Sequence, residues 1–137
     1  MAGYMPAQAL LKTLLLTCAS FSAGDVTESD FSILDRGRPA CCVLFPGGIP
    51  NYDTAGRVRE HQWEAILDLA KRFTSDADWS TFGALRDEVV AKLDATKALS
   101  ADYFIVNITT DGDPDKLTGP AGAIILQTLR ITINEQV

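Results

Sequence analysis

The stretch from His61 to Phe73 (HQWEAILDLAKRF) constrains the fold most, because its apolar residues fit two different periods. As a strand, it carries alternate apolar residues on one face: Trp63, Ala65, Leu67, Leu69 and Phe73. As a helix, it presents a different apolar stripe: Trp63, Ile66, Leu67, Ala70 and Phe73. No glycine stop follows, and the Asp76–Ser80 segment resembles a linker into a separate helix. We favour the strand, although periodicity alone fits both.

Chain length and charge limit the classes of protein to consider. A chain of 137 residues corresponds to one domain, residues 1–137, that can bury a core without metal or disulfide support. Its 12 basic and 18 acidic residues give a net charge of −6. This balance repels polyanions and argues against nucleic-acid or anionic-membrane binding as the main role.

The three cysteines include an adjacent pair, Cys41 and Cys42, besides Cys18. Neighbouring residues of a strand point to opposite faces, so this pair is poorly placed to bond internally or to hold one ion. We expect small buried thiols in a reducing compartment.

The segment from Pro6 to Phe21 has two interpretations. The apolar run Leu10 to Ala19 has the length of a signal-peptide core, but no basic region precedes it and Lys12 interrupts it. The favoured interpretation is an amphipathic helix, with Gly24 just past its end. The run is too short for a transmembrane span, which needs roughly 20 apolar residues.

The middle of the chain predicts a hairpin. After a polar connection with one short strand through Phe31 and Ile33, the apolar run Pro39–Phe45 predicts a buried strand. The glycine- and proline-rich segment 46–57 predicts a long loop. The strand His61–Phe73 would then return antiparallel to the first.

A second helix and a second hairpin follow. Apolar spacing predicts a helix that begins at Asp78 or Ser80 and reaches Leu99. Tyr103–Thr110 has the highest strand propensity of the chain, and the prolyl and acidic segment 111–122 predicts a second long loop. Ala123–Glu135 alternates as a strand with one buried face.

The order helix, hairpin, helix, hairpin predicts an α+β fold: an antiparallel sheet of about four to five strands with two helices packed on one face. The residues on the apolar faces should form the core: Leu14, Leu15, Trp63, Leu67, Val89, Leu93, Ile105, Leu129 and Ile131.

The sequence contains only weak motifs for catalysis or metal binding. His61 is the only histidine, and no nucleophile motif accompanies it, so a surface or edge histidine is the simpler interpretation. Asp111, Asp113 and Asp115 have the first spacing of a calcium loop, but Pro114 falls within it and Gly122 replaces the glutamate that such a loop needs. We therefore predict no catalytic, metal or cofactor site.

Several patterns together resemble the tail terminator proteins of long-tailed bacteriophages, the group typified by the lambda minor tail protein U. They are the element order, the Arg38-Pro39 entry into an apolar strand, the glycine-rich loop, the strand with Trp63, Ala65, Leu67 and Leu69, the Trp79 linker and the threonine-rich final strand. The likeness covers roughly residues 7–135. It implies that Gln62–Phe73 is a strand. The lead Met1–Met5 and the doubled cysteine have no counterpart that we can match.

The resemblance implies a non-enzymatic virion protein, assembled in the host cytoplasm and located at the head-proximal end of the tail. Six copies would form a ring on the tail tube, stop its polymerisation and meet the head-tail connector protein, while DNA passes through the lumen without specific binding. No cofactor and no membrane are implied. A head-completion or connector protein of the neck is the nearest alternative, and a small ligand-binding module is the more distant one.

The two long loops are the candidate interface in such a ring. They carry charges of opposite sign, and these residues are the expected contacts to neighbouring subunits or adjoining rings: Tyr52, Asp53, Arg57, Arg59, Asp111, Asp113 and Asp115.

Overall fold

The computed structural model describes residues 5–28, 38–52, 58–120 and 122–136, with the backbone alone at 46–52 and 58–60. Two helices and a five-stranded sheet account for most of these residues. In chain order they are α1 (Met5–Leu15), β1 (Val26–Thr27), β2 (Ala40–Tyr52), β3 (Val58–Phe73), α2 (Ala77–Ala95), β4 (Tyr103–Gly119) and β5 (Gly122–Gln136). The fold class is α+β, as the sequence predicts.

The stretch His61–Phe73 is extended, so the prediction of a strand is confirmed. It belongs to β3, the central strand in the order β1-β2-β3-β5-β4. β3 pairs antiparallel with β2 on one side, where Cys41 lies opposite Leu69, and with β5 on the other, where Leu129 lies opposite Leu67. Both hairpins therefore meet at this strand.

Both predicted helices exist, with different ends. α1 stops at Leu15, and hydrogen-bonded turns continue the chain so that Cys18 and Phe21 are still buried. α2 begins at Ala77 and ends at Ala95, so Leu99 lies beyond it. No described helix is long and apolar enough to cross a membrane.

Asp78 fixes the turn between β3 and α2. Its carboxylate accepts hydrogen bonds from the backbone N–H groups of Thr74 (2.7 Å) and Ser75 (3.0 Å) and from Lys71 Nζ (2.9 Å). The lysine and the two N–H groups lower the pKa of Asp78 well below its ordinary value. Asp78 was predicted to cap the first turn of the helix, and its side chain binds the backbone N–H groups just before the helix. The N-cap residue is Asp76, whose side chain makes no capping hydrogen bond.

The two predicted long loops are largely strand, so this prediction was wrong. β2 continues to Tyr52 with register shifts after Leu44 and after Asn51, and only residues 53–57 of that loop lie outside the described ones. β4 continues to Gly119 through an irregularity between Asp111 and Asp115. Glycine and proline are tolerated in strands at bulges and edges, and both segments use such positions.

The connection between α1 and β2 contains a strand that the sequence did not predict. Val26–Thr27 pairs parallel with Cys41–Cys42, which makes the sheet mixed. The predicted strand through Phe31 and Ile33 lies outside the described residues. Two residues are too few to show any periodicity, and their pairing depends on contacts that are distant in sequence.

An ion pair between a buried carboxylate and a partly exposed arginine joins the two described ends of this connection. Asp25 is fully buried, and its carboxylate accepts three hydrogen bonds of 2.9 to 3.1 Å from the Arg38 guanidinium. The Asp25 carbonyl also accepts the backbone N–H of Cys41 at 3.0 Å. Arg38 thus stands at the entry to β2 for a structural reason, because it compensates the buried charge.

The core lies between the helices and one face of the sheet. Among the described residues, α1 and α2 pack in one cluster with the odd-numbered residues of β3 and β5. Seven predicted core residues are buried: Leu15, Leu67, Val89, Leu93, Ile105, Leu129 and Ile131. Leu14 and Trp63 are only partly buried, because Leu14 lies beside the buried stripe of α1 and Trp63 lies near one end of the sheet.

The three cysteines are free and buried, as expected. Burial is the main cause that raises the pKa of Cys41 well above its ordinary value, and the adjacent Cys42 adds to it. The Cys41 thiol is therefore in the protonated form, which reacts slowly with oxidants.

Replacing Leu129 with alanine should lower the free energy of unfolding by about 2–5 kcal/mol, because this side chain is fully buried in the centre of the sheet. Leu117 is 44% exposed, and its replacement by alanine should cost less than about 0.5 kcal/mol. Urea titration followed by circular dichroism measures both. Equal losses would show that the buried face is assigned wrongly.

Asp78→Asn should destabilise the protein most near neutral pH. The folded pKa of Asp78 is depressed, so its stabilisation is complete above the ordinary pKa of about 4 and fades as the pH falls towards 2. Urea titrations at pH 7, 5, 3 and 2 should show the wild type and the variant converging at low pH. The 75% exposed Asp87 offers a control as Asp87→Asn, and a gap for Asp78→Asn that stays constant down to pH 2 would contradict the pairing with Lys71.

Candidate assembly surface

The predicted interface residues lie at two separate places. Tyr52 ends β2 and Arg59 lies at the start of β3, both described by their backbone alone, while Asp53 and Arg57 lie outside the described residues. Asp111, Asp113 and Asp115 are all exposed, in the outer half of β4.

The sheet register gives the separation of these two places. Asp111 lies opposite Thr128 of β5, which lies opposite Asp68 of β3. Asp68 follows Arg59 by about nine residues, which corresponds to roughly 30 Å along a strand. The fold therefore keeps the backbone of Arg59 far from Asp111 within one subunit.

A bulge presents the acidic residues. Gly112 has a φ of 78°, a left-handed conformation that suits glycine, in the stretch where the pairing with β5 is interrupted. Its carbonyl accepts a hydrogen bond of 2.8 Å from Nε2 of the buried Gln127. Gln127 was not among the predicted site residues, although its odd number places it on the apolar face of β5, where a polar residue needs a partner.

Arg130 connects three strands on the sheet face opposite the core. Its guanidinium bonds the Glu64 carboxylate on β3 and, at 3.2 Å, the Asp111 carboxylate on β4. These two partners raise the pKa of Arg130 above its ordinary value. Asp111 is thereby partly neutralised, whereas Asp113 and Asp115 form no ion pair with any other described residue, so the acidic surface depends mainly on them.

Aromatic contacts connect the far end of β4 to the body of the protein. Lys116 Nζ lies 4.1 Å from the centre of the Phe73 ring, which also contacts the Trp79 ring at 5.7 Å. The Trp79 side chain is 38% exposed and Leu117 is 44% exposed. Apolar surface is therefore displayed beside the acidic bulge.

A buried carboxylate lies at the opposite end of the sheet. Glu135 is 2% exposed, accepts a hydrogen bond of 2.9 Å from Trp63 Nε1 and bonds the Tyr103 hydroxyl. Burial, and then the Glu135 charge, raise the pKa of Tyr103. His61 lies opposite Glu135 in the register and stacks on Trp63 at 4.1 Å. The alternation of β5 continues from Ile133 to Glu135, and that signal could have identified this residue.

The exposed charges and the buried Glu135 have different surroundings. In the described part of the chain, no group of three or more histidine, cysteine or acidic residues is arranged to hold a metal ion. The exposed charges lie on strands and at a bulge, where a partner can reach them. The buried Glu135 is enclosed by its own hydrogen-bond donors.

Comparison with known proteins adds no identity. No family model and no curated protein match this chain.

Glu135→Ala should lower the free energy of unfolding by about 1–3 kcal/mol, because it removes the carboxylate that accepts from the Trp63 N–H and bonds the Tyr103 hydroxyl. Glu135→Gln keeps an acceptor oxygen and should cost less. Guanidinium titration followed by tryptophan fluorescence measures both. An alanine variant as stable as the wild type would mean that Glu135 does not organise this end of the sheet.

Proposed function

We propose that this protein is a structural component of a phage tail. Six copies close into a ring that caps the tail tube, ends its polymerisation and joins it to the head-side connector protein. The proposal includes no enzymatic activity, no cofactor and no membrane. Its place in the virion is the head-proximal end of the tail, after assembly in the host cytoplasm.

We base this proposal mainly on the exposure of the outer half of β4. From Thr109 to Gly119, Pro114 alone is even partly buried, yet the segment is ordered strand. A strand that buries so little contributes little to its own core, and such a strand is the usual means of contacting another chain. The resemblance in element order supports the same function.

The separation of charges supports a ring. In a closed ring each subunit joins two different patches, head to tail. Two such patches are proposed: Arg57 and Arg59, which the sequence places between β2 and β3 and at the start of β3, and the oppositely charged Asp113 and Asp115 in the bulge of β4. Complementary charges would set the register between subunits more than the affinity.

The net charge of −6 suits a ring through which DNA passes. An acidic lumen repels the phosphate backbone, so DNA would move through it without being held. This argument holds equally for a head-completion or connector protein of the neck, which is the second candidate because it needs the same ring and lumen.

Reversing both arginines, as Arg57→Glu with Arg59→Glu, should weaken ring formation or joining to tails while leaving the fold intact. These charges contribute to the contact between subunits, whereas single exposed charges contribute little to stability. Light scattering of the protein alone and with purified tail tubes measures assembly, and circular dichroism checks the fold.

A matched control reverses two charges on the helices, as Lys12→Glu with Arg86→Glu, and should assemble normally. Assembly of the Arg57 and Arg59 variant at the wild-type level would remove these residues from the interface. Electron microscopy of particles separates the two candidates: density between tube and connector supports the terminator, whereas density on the head portal supports the neck protein.

A further inference from the structure

β4 forms one edge of the sheet, and only its beginning is covered on the outer side. The segment after α2 pairs there: Ile105 N–H donates to the Lys97 carbonyl at 2.7 Å, and Leu99 N–H donates to the Tyr103 carbonyl at 2.9 Å. Beyond Ile105, no described residue bonds the outer backbone edge of β4. An open edge therefore runs from Val106 onward.

The register indicates which backbone groups point outward. Ile105 points its N–H away from β5, towards Lys97. Val106 is an extra residue, because Ile105 and Asn107 lie opposite the consecutive residues Ile133 and Thr132. Inward and outward pairs alternate along an antiparallel ladder, so the N–H and C=O groups of Ile108 and Thr110 point outward.

Beyond the bulge at Val106, this part of the edge lacks the usual protection against pairing. Val106–Thr110 (VNITT) contains no charge, proline or glycine, and Val106 is 50% exposed. Exposed edges are normally interrupted by charged residues, prolines or bulges. In β4 one bulge lies at Val106, at the start of this segment, and the charges, the proline and the second irregularity occur only from Asp111 onward.

We infer that the Val106–Thr110 edge pairs antiparallel with the same edge of a second copy of this chain. With the two-fold axis at Thr109, Ile108 of each copy lies opposite Thr110 of the other, and these outward groups can exchange both of their hydrogen bonds. The contact is two-fold, so it is distinct from the head-to-tail contacts of the proposed ring, and because it uses Asp113 it joins subunits that are outside the ring.

Charge complementarity identifies the second copy as the partner. Antiparallel pairing carries the acidic bulge of one copy, with Asp113, towards the Lys97 end of the other, and the symmetry makes this contact twice. Lys97 is 59% exposed and bonds only the exposed Asp94 among the described residues, at 2.8 Å. Its ammonium has further donors for a second acid.

Sedimentation over a range of concentrations tests the pairing. The wild type should double in mass, and Lys97→Glu or Asp113→Lys alone should weaken this association by about tenfold, since each places like charges together. The combined variant should restore it, because the reversed charges again attract. Thr110→Pro should abolish it by removing an outward N–H, with circular dichroism to confirm the fold.

Asp87→Lys on α2 is the control, because Asp87 is exposed and distant from this edge in sequence, and it should associate like the wild type. A wild type that stays a monomer at every concentration would overturn the inference. Single reversals without effect, or a combined variant that stays dissociated, would also overturn it.

Discussion

The pairing of β3 on both of its edges supports the whole structure. Fourteen consecutive positions of this strand, Glu60 to Phe73, lie opposite β5, and most of the same stretch lies opposite β2. Loss of the β3–β5 ladder would separate the two hairpins, and loss of the β2–β3 ladder would open the first hairpin. The alternation of Trp63, Leu67 and Leu69 with polar residues therefore determines more than one strand: it orients both hairpins towards the helices.

Residues whose environment is set by their own periodicity could be predicted. The alternation of β5 placed Leu129 and Ile131 correctly, and helical spacing placed Val89 and Leu93. The burial of Glu135 was not predicted, although Glu135 lies on the same face of β5 as Ile133. The alternation was not extended to this residue. A buried acid is expected only once its donors are known, and Trp63 is far from it in sequence.

The long strands could not be predicted because their ends depend on pairing. Pro46, Gly47 and Gly48 have poor strand propensity, but β2 continues along β3 because the partner strand is already in place. Similarly, Asp111 to Gly119 continues as β4 because β5 offers a ladder and Gly112 absorbs the mismatch. Residues that predicted turns therefore lie in irregular positions of strands. The acidic group Asp111, Asp113 and Asp115, which was predicted on a loop, lies on a strand instead.

The ion pair between Asp25 and Arg38 holds together the two ends of the chain segment that connects these residues. The positions of these ends therefore do not depend on the length of the segment. Loop closure costs only about 0.6 kcal/mol for each doubling of length once the ends are fixed by other contacts. Here a buried carboxylate and a parallel strand pair hold those ends. Insertion of a peptide tag or a small reporter domain between residues 29 and 37 should therefore leave the sheet and the edge of β4 in place, which makes this segment a practical site for labelling the protein within an assembled particle.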